Sequence, residues 1–142
     1  MAAGHFSVSR PKHSLRNKTW FKVEEANRSL PLVRRIVRDI VNTHQRATQL
    51  QAKIEETSGK QAAAIQSQLD AALNDLQEYV DELTRIGVEL KDYQTGLIDF
   101  PGRHQHRDVY LCWRLGEEKI QHWHELHTGF SGRQPISSLE EE

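Results

Sequence analysis

From Val33 onward the apolar positions follow a helical rhythm. Val33, Val37, Ile40, His44, Ala47, Gln51 and Ile54 are spaced by alternating steps of four and three, which places them in one stripe of a helix spanning roughly 31–57. Pro31 suits the first turn of that helix, where a missing N–H costs nothing. The stripe weakens after residue 41. Thr57-Ser58-Gly59-Lys60 interrupts the pattern, and Gly59 can take the left-handed conformation that ends helices. Ile65, Leu69, Ala72, Leu76, Tyr79, Leu83 and Ile86 then repeat the same rhythm and predict a second helix over about 61–86, closed by Gly87. Two helices of similar length joined by a short polar turn bury both stripes by folding back on one another. The expected tip, residues 50–68, is rich in Gln and Ala and should project into solvent.

After Gly87 the apolar period changes from 3.6 to 2. Val88–Leu90 and Leu97–Phe100 are short candidate strands, and Val109, Leu111, Trp113 and Leu115 alternate with Tyr110, Cys112 and Arg114 in the clearest strand of the chain. Pro101-Gly102 is expected to start a turn, so that strands 97–100 and 109–115 pair antiparallel. Ile120, Trp123, His124 and His127 fall at i, i+3, i+4 and i+7, which predicts a short third helix starting at Glu117 and stopped by Gly129. Upstream, Trp20, Phe21 and Val23 form a short apolar segment before one or two helical turns. The fold class is therefore α+β: a long antiparallel helix hairpin packed with a small antiparallel sheet and a short C-terminal helix. Residues 1–19 are expected to be a disordered basic arm, 20–135 a single domain, and 136–142 an acidic disordered tail.

Composition narrows the function classes. With 19 Lys+Arg against 20 Asp+Glu, the net charge of −1 provides no global attraction to nucleic acid or acidic membrane. The arm is the exception, because Met1 to Val23 carries Arg10, Lys12, Arg16, Lys18 and Lys22 and no acid. Nucleic-acid binding through it lacks any reading motif. No apolar run approaches the length of a membrane span, and the first twenty residues lack the apolar segment of a signal peptide, so a cytoplasmic location is expected. Cys112 is the one cysteine. It excludes internal disulfides and multi-cysteine zinc patterns.

Six blocks appear in order: Phe21-Lys-Val-Glu-Glu-Ala-Asn27, Gly87-Val-Glu-Leu-Lys-Asp92, Gly96-Leu-Ile-Asp-Phe-Pro101, Val109-Tyr-Leu-Cys-Trp-Arg-Leu-Gly-Glu117, Trp123-His-Glu125 and Gly129-Phe-Ser-Gly-Arg133. Over about residues 20–135 this set resembles the small bacterial proteins of domain-of-unknown-function family 2203. The resemblance implies a prokaryotic source and brings no activity with it.

The blocks and their margins hold Glu24, Glu25, Glu89, Asp99, His122, His124, Glu125 and His127. Imidazole and carboxylate together suit zinc, iron or manganese when three or four converge from separate elements. Glu25, Glu89, Asp99, His124 and His127 are the candidate ligands of such a divalent transition metal. The spacing of His124-Glu125-Leu126-His127 is not the zinc-protease pattern, which needs histidines at i and i+4. An inward-facing His124 could instead be satisfied by a carbonyl or carboxylate, or act as an acid or base. Asp99 interrupts an apolar strand, so it either lies on an open sheet face or is buried with a partner such as Arg114, a histidine or a metal. Glu24 and Glu25 suit a helix N-terminus. Arg114 and Arg133 are candidate anion-binding residues, the latter in a glycine-containing loop, and Arg103, His104, His106 and Arg107 form a basic turn. The rival to a metal-binding domain is a non-enzymatic interaction module that self-associates through the helix hairpin.

Overall fold

The computed structural model describes residues 20–140; the expected basic arm and the last two residues of the expected tail lie outside them. Helices α1 (Val23–Glu55) and α2 (Gly59–Ile86) form the hairpin. Five strands follow in a plain antiparallel meander, each next to its neighbour in sequence: β1 (Glu89–Asp92), β2 (Leu97–His104), β3 (Arg107–Arg114), β4 (His122–His124) and β5 (Gln134–Pro135). A five-residue helix, α3 (Ile136–Glu140), ends the described chain.

α1 starts eight residues earlier than the proline suggests and carries Pro31 in its interior. Two local features hold this first section. The Glu25 carboxylate accepts the Lys22 backbone N–H at 2.8 Å, capping the start. Ala26, Leu30 and Val33 are all buried on either side of the proline, and that burial offsets the lost N–H and the ring clash, about 3 kcal/mol in an exposed helix. At the far end, Gly87 adopts φ 102° and terminates α2 as expected.

One apolar core joins the hairpin to one face of the sheet. It takes Val33, Ile36, Val37 and Ile40 from α1, Leu76, Val80 and Leu83 from α2, and Ile98, Phe100, Leu111, Trp113 and Trp123 from the strands. The tip has a smaller core of its own, built from Ala47, Leu50, Leu69 and Ala72 with Ile54 and Ile65 half-buried beyond them. Here the stripe persists further than its weakening after residue 41 suggests, with Ala47 and Ala72 buried between Leu50 and Leu69.

Three expectations about the second half are corrected. The β2–β3 turn is not at Pro101-Gly102, which lie inside β2. It is the two-residue link Gln105-His106, with φ of 49° and 68°, values usually taken by Asn or Gly in such tight hairpins. Pro101 is tolerated because Phe21 binds its carbonyl through an N–H at 2.8 Å, a bond needing no proline donor. Glu117 to His127 does not form a helix. His122–His124 is a strand paired with β3, and period-2 alternation turns Trp123 into the core while both histidines face the other side. The short C-terminal helix of the fold is instead α3. The expected tail from 136 is thereby shortened, since Leu139 is fully buried in the main core.

Candidate functional site

The face of the sheet turned away from the helices carries the polar residues. Alternation in β2 and β3 puts Asp99 and Pro101, and Tyr110 and Cys112, on this side. The tight turn fixes the register that pairs Asp99 with Cys112. Glu89 pairs with Asp99 on one flank, and Cys112 pairs with His122 on the other, so a row of four polar residues crosses the sheet. His124 stands opposite Tyr110.

This face is also buried at its centre: Asp99 is 3 % exposed, His124 2 % and Cys112 1 %. The His124 Nε2 lies 3.1 Å from both Asp99 oxygens, and its Nδ1 lies 2.8 Å from the Glu125 backbone oxygen. A carbonyl only accepts, so Nδ1 carries a proton and donates it to Glu125. Nε2 faces the Asp99 carboxyl group at hydrogen-bond distance, an arrangement that favours a second proton on the ring. Burial disfavours the charged ring, but the Asp99 hydrogen bond, the Glu125 carbonyl and the Asp99 charge together outweigh it, and the pKa of His124 is raised.

The Cys112 sulfur completes a cluster: one ligand atom each from Asp99, Cys112 and His124 lie within 4.8 Å of one another. Burial, reinforced by the Asp99 charge, pushes the thiol up to about 12, so it is protonated at neutral pH. Tyr110 stacks obliquely on His124 with ring centroids 5.3 Å apart and donates to Glu89 Oε2 at 3.1 Å. Burial and the neighbouring Glu89 push its hydroxyl up to about 12. Lys91 pairs with the other Glu89 oxygen at 3.1 Å.

Beside the cluster, Arg133 donates to Glu117 Oε2 at 2.7 Å and to His122 Nδ1. A guanidinium has no acceptor, so His122 accepts through Nδ1 and holds its own proton on Nε2. Arg133 Nε is buried and, among the described residues, has no hydrogen-bond partner. Phe130 lies between Arg133 and Arg114, whose guanidinium carbons are 4.7 and 5.5 Å from the ring centroid.

Of the five candidate metal ligands, the structure therefore brings Asp99 and His124 together and places Glu89 next in the network through Tyr110. Glu25 is exposed and occupied in capping α1, and His127 is exposed on the loop after β4. Glu24 is exposed in the first turn of α1. Glu125 pairs with Arg107. Arg103 of the basic turn is bound by Asp108 at 2.7 Å. Of the two candidate anion-binding residues, Arg133 is held by Glu117, whereas Arg114 is exposed. Cys112 and Tyr110 enter the site although neither was a candidate. The signal for both was their alternation with Leu111 and Trp113, usable only once the turn is centred between Gln105 and His106.

The family model described as "Uncharacterized conserved protein (DUF2203)" matches residues 19–136, and the chain belongs to that family. No curated protein and no solved structure matches it. Among the described residues, no helix is long and apolar enough to cross a membrane.

Proposed function

We propose that this member of an uncharacterised family is a cytoplasmic bacterial protein that binds a divalent transition metal, with Asp99, Cys112 and His124 as ligands. The observation that carries this reading is the convergence of a carboxylate, a thiol and an imidazole within 4.8 Å on one buried patch of sheet. In a tetrahedral zinc site, bonds of about 2.0–2.3 Å put neighbouring ligand atoms roughly 3.3–3.7 Å apart, so the cluster needs to contract by about 1 Å. Oxygen, nitrogen and sulfur donors together favour zinc over magnesium or calcium. The Glu125 carbonyl supports the same reading, because it fixes the His124 tautomer and leaves Nε2 toward Asp99, as orienting partners of metal-bound histidines do.

Binding requires the proton on His124 Nε2 and the proton on the Cys112 thiol to leave. Affinity should therefore rise with pH, up to about tenfold per pH unit for each proton released over that unit. The test is metal content by mass spectrometry on untagged protein, beside Cys112→Ser and His124→Gln variants. Near-stoichiometric metal that is lost in both variants is expected. Metal-free wild type that also fails to bind zinc after chelator treatment and dialysis, or metal retained by the variants, would exclude the site.

The rival reading, self-association through the hairpin, is supported by Leu32, which is 44 % exposed on α1. Sedimentation across a wide concentration range separates the two: a strict monomer removes the assembly module and leaves the metal reading untouched.

A further inference from the structure

A groove of about 450 Å³ lies between α1 and the turn after β3, lined by Arg34, Arg38, Leu115, Gly116, Glu117 and Glu118. Its volume falls in the range of small-molecule sites, about 300–1,000 Å³. Its walls are set by packing. A side chain at Gly96 would collide with Val37, Val41 and Leu115, and Leu115 donates its N–H to the Gly96 carbonyl at 3.1 Å, so the turn is drawn tightly against α1. Gly116 then takes φ 107° with open space where a side chain would stand.

The charges in this groove are unbalanced. Both carboxylate oxygens of Glu117 are engaged, one by the Arg114 backbone N–H and one by Arg133, each at 2.7 Å. Its charge is thus matched by Arg133, which does not line the groove. Arg34 is held in place: one nitrogen donates to the Glu118 carbonyl at 2.9 Å, and the guanidinium lies 5.7 Å from the centre of the Trp113 ring. Arg38, one turn further on, is exposed and makes no hydrogen bond or ion pair among the described residues. Two guanidinium groups therefore line the groove with Glu118, whose carboxylate makes no ion pair among the described residues. Like charges at i and i+4 repel by a few tenths of a kcal/mol, which an anion between them would reverse.

We propose that this groove binds a phosphate group, as inorganic phosphate or a phosphomonoester, between the fixed Arg34 and the free Arg38. A phosphomonoester is nearly dianionic at neutral pH and offers three terminal oxygens, enough for two guanidinium groups. A carboxylate has one charge and two oxygens, and one arginine suffices for it. Leu115 supplies an apolar wall for the remainder of an ester.

The experiment is a titration of the full chain with inorganic phosphate at constant ionic strength, followed by amide NMR shifts, with acetate in parallel. Saturable shifts at residues 115–118 with a Kd of about 1 mM or tighter are expected, weakened at least tenfold by Arg38→Ala and by Arg38→Gln, whose melting curves should match wild type because Arg38 is exposed. Absence of saturation up to about 20 mM, equal binding by acetate, or unchanged affinity in both variants would overturn the proposal. No metal takes part, so the result is independent of the Asp99–Cys112–His124 reading.

Discussion

The two faces of strands β2 and β3 are both buried, with opposite materials. The face toward the helices presents Ile98, Phe100, Leu111 and Trp113, held by apolar contact over a wide area. The far face presents Asp99, Cys112, Tyr110 and His124, held by a few directional bonds to named partners. On the first face, burial and stability are the same thing, because removing apolar surface from water is itself favourable. On the second, burial has a cost that only correct pairing offsets, so the arrangement depends on every partner being in place. The comparison separates a face held by area from a face held by pairing.

The largest effect should come from the helix-facing side. Trp113→Ala should lose about 3–5 kcal/mol in denaturant unfolding, since the ring is fully buried at the centre of the core. A loss below about 1 kcal/mol would remove the contrast at its root. Next is the far face: Asp99→Leu alone should cost about 3 kcal/mol by leaving a buried histidine without its carboxylate, whereas Asp99→Leu with His124→Leu should recover most of it. If the double variant is as unstable as the single one, the pair itself contributes net stability and the far face resembles the near one.

A smaller effect follows pH. His124 has a folded pKa raised above its ordinary 6.5, so the stability it adds is complete below pH 6.5 and is lost as pH rises through the raised value. The stability difference between wild type and His124→Gln should accordingly shrink from pH 6 to pH 9, measured by denaturant titration at each pH. A difference that grows over that range would reverse the assignment of the second proton to Nε2. The smallest effect belongs to Arg114→Ala, about 0.5 kcal/mol in the same assay, because the side chain is exposed and its contact with Phe130 is correspondingly weak.

Much of the helix-facing side was legible in advance. The four-three spacing identified both helices, and alternation in Val109, Leu111 and Trp113 identified the buried side of β3. The far face was legible only in pieces. Asp99 stood out as a charge within an apolar strand, and His124 as an imidazole beside Trp123, but nothing local joins residues 25 positions apart. Ile120, Trp123, His124 and His127 fit a helical face by spacing, yet the chain at 122–124 pairs with β3, where only alternation applies. Short apolar runs carry too few residues for the period to separate helix from strand.

By itself the sequence determined the helix hairpin, the α+β class and the apolar side of the sheet, because these follow from periodicities repeated over many residues, each repetition adding to the same preference. Tertiary structure decided the site. One two-residue turn sets the register that places Cys112 beside Asp99, and β4 then delivers His124 to both. A shift of one residue in either pairing would exchange the polar and apolar faces. That choice rests on long-range packing of Phe100, Trp113 and Trp123 against the helices, which no local pattern records.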